Sequence, residues 1–126
     1  MESKELAQRI SQLALDKKGN DILILDLKKL SDVTDYFVIV SCESDIHVKT
    51  IANFIEDELK KEKIRVWHKE GYSKLNWVLL DYIDVVTHIF RPDTREYYGL
   101  EKLWADAKIT RVEDHATPRV VPQRTN

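Results

Sequence analysis

In the first fifteen residues the apolar positions Leu6, Ile10, Leu13 and Ala14 recur at helical spacing. Ser3 is available as an N-cap and Gly19 as a stop, which predicts a helix over about 4–17. After the Gly19-Asn20 turn signal, DILILDL is too short and too rich in Ile and Leu for a helix, so a strand is expected at about 21–27. Lys28 to Asp35 is polar, with Ser31, Asp32 and Asp35, and reads as a loop. YFVIVS follows as a second strand, and a loop of this length allows antiparallel pairing. Ser44 then caps a long amphipathic helix with Val48, Ile51, Ala52, Ile55 and Leu59 on its apolar stripe and Glu56, Asp57, Lys60 and Lys61 on the wet one. Lys60 to Lys63 suits its C-terminal dipole.

Ile64 to Lys69 alternates as a strand, Gly71 to Asn76 turns, and WVLLDYIDVVTHIF carries two more strands. Ile83-Asp84 must turn or bend between them, although neither residue favours a positive φ. Asp93 and Glu96 have capping-box spacing just after Pro92, which predicts a third helix through Tyr97, Leu100, Leu103 and Trp104, interrupted by Gly99. From Lys108 the periodicity dies and Pro118 and Pro122 appear, so 108–126 is expected to be a flexible tail behind one domain at 1–107. The order α-β-β-α-β-β-β-α argues for a single α/β domain with a mixed sheet flanked by helices.

Composition narrows the function. In 126 residues, 20 Lys and Arg meet 22 Asp and Glu for a net charge of −2, which removes the cation surplus that bulk phosphate tracking needs. No run approaches a bilayer span, and the N-terminus lacks the apolar core of a secretory signal. The single Cys42 cannot form an internal disulfide, so a reducing, cytoplasmic setting is expected.

Candidate chemistry is sparse. Cys42 precedes the second helix, where a helix dipole can activate a thiol, yet a small residue tolerated in a turn explains it too. His47, His68, His88 and His115 show no zinc-motif spacing, and Asp81 and Asp84 fall on opposite faces of a regular strand, so no metal is expected. Gly19, Gly71 and Gly99 belong to no phosphate-binding pattern, and no cofactor is expected. Lys28-Lys29 and Lys60-Lys61 read as solvated surface. What stands out is a surplus of rings: Trp67, Tyr72, Trp77, Tyr82, Phe90, Tyr97, Tyr98 and Trp104 are eight of eleven aromatic residues. Large rings beside charges fit either core packing or a protein interface.

Residues 77 to 104, WVLLDYIDVVTHIFRPDTREYYGLEKLW, resemble the ribosomal silencing factor, or Iojap-like, family. The tryptophan-opened strand, the D-Y-x-D-V-V-x-H-I-F run and the R-E-Y-Y-x-L-E-x-L-W helix occur together and in order. Supporting matches lie in DVTDYFVIVS, in the Ser44-led helix with His47-Val48 and Ile51-Ala52, and in Trp67 to Gly71; the resemblance covers about residues 3–106. Ile83 and Cys42 stand where the family commonly has glycine.

The resemblance implies a nucleotidyltransferase-like α/β fold without transferase chemistry. The sequence agrees, lacking the Gly-Ser turn and the D-x-D pair that would hold Mg²⁺ on a nucleotide. It implies binding to a basic protein of the large ribosomal subunit, the fourteenth of its series, on the surface facing the small subunit. The factor would block subunit joining by occupancy and lower translation when nutrients are scarce. Little or no direct rRNA contact, no membrane, and a cytoplasmic location follow, and exposed apolar strands and family habit allow a homodimer. The alternatives are a metal-dependent nucleotidyltransferase-type enzyme and a direct RNA binder.

A basic target calls for an apolar centre ringed by carboxylates. Strand alternation puts Trp77, Leu79 and Asp81 on one face, opposite Val78, Leu80 and Tyr82. If helices cover only one face, one of these sets is left for a partner. Trp77, Leu79 and Asp81 are the expected contacts, with Asp84, His88, Tyr98, Glu101 and Trp104 as further candidates, although His88 reads more readily as a structural hydrogen-bonder than as a pH switch.

Overall fold

The computed structural model describes residues 1–113 and the backbone of 119–122. Helix α1 (Ser3–Asp16) buries Leu6, Ala7, Ile10, Leu13 and Ala14, the stripe set by its helical period. Its N-cap is Glu2, which makes no side-chain bond, so Ser3 lies inside the helix and does not cap it. The left-handed residue that ends it is Lys18, at φ 67°. Gly19 is required for a different reason: a Cβ there would lie 2.7 Å from Val40 Cγ1 and 3.0 Å from the Ala14 carbonyl oxygen.

Strands β1 (Asn20–Asp26) and β2 (Tyr36–Ser41) pair antiparallel, as the connecting loop allows. Helix α2 (Asp45–Lys61) starts at Ser44, whose hydroxyl accepts the His47 N–H at 3.1 Å, and buries the five apolar residues of its stripe. His47 Nδ1 accepts the Glu43 N–H at 3.0 Å while Nε2 meets the Lys17 carbonyl at 2.8 Å. Through these two contacts the His47 ring ties the start of α2 to the end of α1.

Strand β3 is shorter than expected, His68–Glu70. Ile64 and Val66 instead pack as loop residues against the core, and the Trp67 N–H reaches the Asp81 carbonyl at 2.9 Å. Strands β4 (Trp77–Asp81) and β5 (Val85–Phe90) follow. Helix α3 (Pro92–Tyr98) is capped by Arg91 without a side-chain bond, so the capping box expected from Asp93 and Glu96 does not form. Gly99, at φ 53°, separates it from the single turn α4 (Leu100–Leu103).

Lys108–Glu113 forms β6 and Arg119–Pro122 forms β7. This overturns the expected tail: β6 pairs with β1 from Ile22↔Val112 to Asp26↔Lys108 and carries the buried Ile109 and Val112. The rest of that tail, 114–118 and 123–126, with His115 and Pro118, lies outside the described residues. The sheet runs β3-β4-β5-β2-β1-β6-β7, with β2 and β5 parallel and every other pair antiparallel. The single α/β domain with a mixed, helix-flanked sheet is as expected, extended by the last two strands.

The two sheet faces are unequally covered. Ile22, Ile24, Val38, Val40, Val78, Leu80 and Ile89 pack under α1 and α2 in the main core. Leu23, Leu25, Ile39, Phe90 and Ile109 form a smaller cluster on the other face with Leu27, Leu100 and Ala107, and the partly buried Phe37, Trp77 and Trp104 pack against it. Among the described residues no helix is long and apolar enough to cross a membrane.

A half-roofed groove as the candidate partner-binding site

Registered pairs share a sheet face, so the thinly covered side can be traced across the strands. One row runs Leu25, Phe37, Val86, Asp81 and the next Leu23, Ile39, His88, Leu79. Where α3 and α4 stop short, this face opens into a groove of about 740 Å³ with Phe37, Leu79, Val86 and His88 among its lining. The loop residues Ser31, Val33 and Thr34, the turn residues Asp81 and Ile83, Trp67 and Trp104 complete it. Val33 is 84% exposed, Trp67 69% and Ile83 55%, so three large apolar side chains stand in water around one depression.

The rim is held by backbone bonds. The Asp84 carbonyl accepts the N–H groups of Asp35 (2.9 Å) and Tyr36 (3.1 Å), joining the β1–β2 loop to the β4–β5 turn. In that turn the Asp84 N–H bonds the Tyr82 carbonyl at 3.0 Å around Ile83 at φ 74°, a γ-turn of the rarer, positive-φ kind. Asp81 Oδ1 accepts the Ile83 N–H at 2.7 Å and pins it. Ile83 thus takes a conformation that strains a β-branched residue, and presents its side chain to solvent.

At the floor, Trp77 Nε1 donates to His88 Nδ1 at 3.1 Å, and His88 packs edge-on to Phe37 with centroids 4.5 Å apart. The ring is only 4% exposed, and burial without a compensating anion pushes its pKa down to about 3. His88 is therefore neutral at physiological pH, with its proton on Nε2, and that buried nitrogen has no partner. Asp81 is the only ionised side chain among the groove residues.

The structure brings together Leu79, Asp81, His88 and Trp104 of the expected contacts. Trp77 lies behind them, ringed by His88, Phe90 and Tyr98, with the Tyr98 centroid at 4.7 Å. Tyr98 belongs to a separate surface depression with Asn76, Asp93, Thr94 and Tyr97. Asp84 acts through its backbone and is absent from the groove lining. Glu101 is elsewhere too, accepting from Arg95 Nε at 2.9 Å. Arg95, itself buried, also donates to the Asp21 carbonyl (2.7 Å) and Ser41 Oγ (2.8 Å), fastening α3 to the sheet.

Sequence reasoning missed Val33, Phe37, Trp67, Ile83 and Val86. Trp67 stands in the sequence as one ring among eight and at the head of the Trp67 to Gly71 match, with nothing to mark it as a contact, and Val33 carries no periodic signal. Cys42 is fully buried, and burial pushes its thiol up to about 12, which fits the packing reading and not the reactive one. Among the described residues no three His, Cys, Asp or Glu side chains are placed to hold a metal ion.

Comparison with known proteins places this geometry in context. The family model RsfS, ribosomal silencing factor during starvation, matches residues 1–126. The ribosomal silencing factor RsfS of Bacillus subtilis is 42% identical over 109 residues, covering 86% of this chain and 92% of that one. The chloroplastic Iojap protein of Zea mays is 33% identical over 107 residues, 84% of this chain and 46% of its own length. A crystal structure of a Chromobacterium violaceum protein superposes with a TM-score of 0.81 at 34% identity, covering 83% of this chain and 88% of that one.

Proposed function

The chain belongs to the ribosomal silencing factor family, whose members are non-enzymatic, and on that premise we propose that its half-roofed groove docks a basic protein of the large ribosomal subunit. The fourteenth protein of that subunit is the partner the sequence resemblance implies. Docking on the surface that faces the small subunit excludes the small subunit by occupancy, with no bond made or broken, and lowers translation under nutrient limitation.

One observation carries this reading: a concave apolar sheet face, rimmed by exposed Val33, Trp67 and Ile83, with Asp81 as its only ionised lining residue. Apolar area supplies the driving force, while a lone carboxylate at the rim favours a cation and disfavours phosphate, so rRNA contributes little. Asp32 and Asp84, both exposed and each adjacent in sequence to a lining residue, extend the same sign. A cytoplasmic setting belongs to the reading, and the reduced, buried Cys42 is compatible with it. A second copy of the chain would cover the same apolar residues, so self-association and ribosome binding exclude each other.

The test is a subunit-joining assay followed by light scattering. Preincubating large subunits with the protein should slow joining in proportion to occupancy, and adding the isolated fourteenth protein should restore it. Joining at the unperturbed rate with the protein in excess would refute the proposal.

A further inference from the structure

We propose that His88 is a specificity residue of the groove: its Nε2–H, unpartnered at the floor, is the donor for a neutral carbonyl oxygen that the bound chain inserts between Phe37 and Leu79. The inference rests on the docking reading above and adds the group that is recognised.

The tautomer follows from geometry. Trp77 Nε1 can only donate, and it lies 3.1 Å from His88 Nδ1, so Nδ1 is the acceptor and the proton sits on Nε2. Nε2 is covered in the free protein and makes no hydrogen bond, so an acceptor reaches it only by parting the groove side chains that lie over it. Native structures rarely leave a buried donor unpaired, because a desolvated N–H without an acceptor costs free energy. Among the described residues no protein group reaches it: Phe37, Leu79 and Val86 are apolar, and Ser31, Thr34 and Asp81, the polar residues of the lining, make no bond to it. An acceptor has to arrive with the occupant.

The chemistry of that acceptor is bounded from two sides. An anionic oxygen would meet the Asp81 carboxylate in the same groove with no cation lining it, and desolvating it there is unfavourable. A water would have to pass the same covering side chains and brings no apolar area to fill the groove. A backbone carbonyl in a segment carrying aliphatic side chains satisfies the donor and fills the groove together, while a Lys or Arg of the same segment reaches Asp81 at the rim.

The experiment titrates the isotopically labelled full chain with the isolated fourteenth large-subunit protein and follows the His88 imidazole by NMR. On binding, the Nε2 proton should move downfield and become protected from exchange while Leu79 and Phe37 signals shift. His88→Phe should weaken binding roughly tenfold to a hundredfold, the effect of deleting one buried hydrogen bond. His88→Gln, which can still accept from Trp77 and donate into the groove, should recover most of the loss. Leu79 and Phe37 shifts with an unmoved His88 proton, or equal weakening by Phe and Gln in folded variants, would overturn the inference and leave the docking reading standing. Absence of any groove shift at saturating partner would overturn both.

Discussion

The indole N–H of Trp77 donates to Nδ1 of His88 at 3.1 Å, from one strand to its antiparallel neighbour. That bond fixes which ring nitrogen carries the proton and makes the imidazole an acceptor behind and a donor in front. Protonation of His88 would turn a second N–H toward the indole donor inside an apolar cluster. The folded state therefore keeps this histidine neutral, consistent with a pKa lowered by burial to about 3.

A pH dependence of stability follows. Between about pH 6.5 and 3 the unfolded chain binds a proton at His88 that the folded chain does not, so acid favours unfolding. The stabilisation is fully present above 6.5 and is lost as the pH falls toward 3, a loss of at most about 5 kcal/mol at 1.36 kcal/mol per unit. Denaturant melts from pH 7 to 4 should show falling stability, and the slope should flatten in His88→Gln. An unchanged slope in that variant would assign the effect to other groups.

Ile83 occupies a positive-φ turn and is 55% exposed, so its side chain gives the free protein little in return for the strain. Ile83→Gly should raise stability by about 0.5–1 kcal/mol, the left-handed penalty less the extra entropy of glycine, a few degrees in Tm. It should also weaken ribosome binding, since an exposed apolar contact is lost from the groove. Thermal melting beside large-subunit sedimentation separates the two effects. A lower Tm would show that the turn relies on the Ile83 side chain.

Cys42 should be inert in the native state, because its thiol is buried and its pKa is raised to about 12. A chromogenic disulfide reagent at pH 8 should label it only at the rate of unfolding. Stoichiometric labelling within minutes in native buffer would contradict this.

Removing β6 should be severe. A chain ending at Ala107 loses the buried Ile109 and Val112 and leaves β1 as an unpaired edge. The two side chains alone account for roughly 3–6 kcal/mol, much of a small domain's stability, and the bare edge invites aggregation. Expression should give insoluble or molten material. A soluble truncation with the full-length Tm would restore the tail reading for these residues.

That strand also marks where the sequence stopped being legible. KITRVE offers only Ile109 and Val112 as apolar positions, spaced three apart, which fits a helix face and not a strand's alternation, and its place beside β1 is a long-range choice. The α2 stripe and the Trp77, Leu79, Asp81 alternation were readable, since each period is local and each face is buried or open as a unit. The groove was readable only in part. Its residues come from the β1–β2 loop, β2, the segment before β3, β4, the β4–β5 turn, β5 and the C-cap of α4, and they meet because β2 pairs parallel to β5, which no local pattern encodes. Glu101 stood in a motif with aromatics but is used by Arg95, an ion pair that depends on how α3 docks.

The central claim is that the groove face meets the large subunit, and sedimentation of paired surface variants tests it most directly. Val33→Lys/Trp67→Lys alters two side chains that are 84% and 69% exposed, so the fold should persist, while a basic partner meets two new cations. Tyr97→Lys, at a site 83% exposed and outside the groove, is the control. The wild type and Tyr97→Lys should pellet with purified large subunits, and the folded double variant should remain in the supernatant. Equal pelleting of all three would place the ribosome-binding surface elsewhere on the molecule.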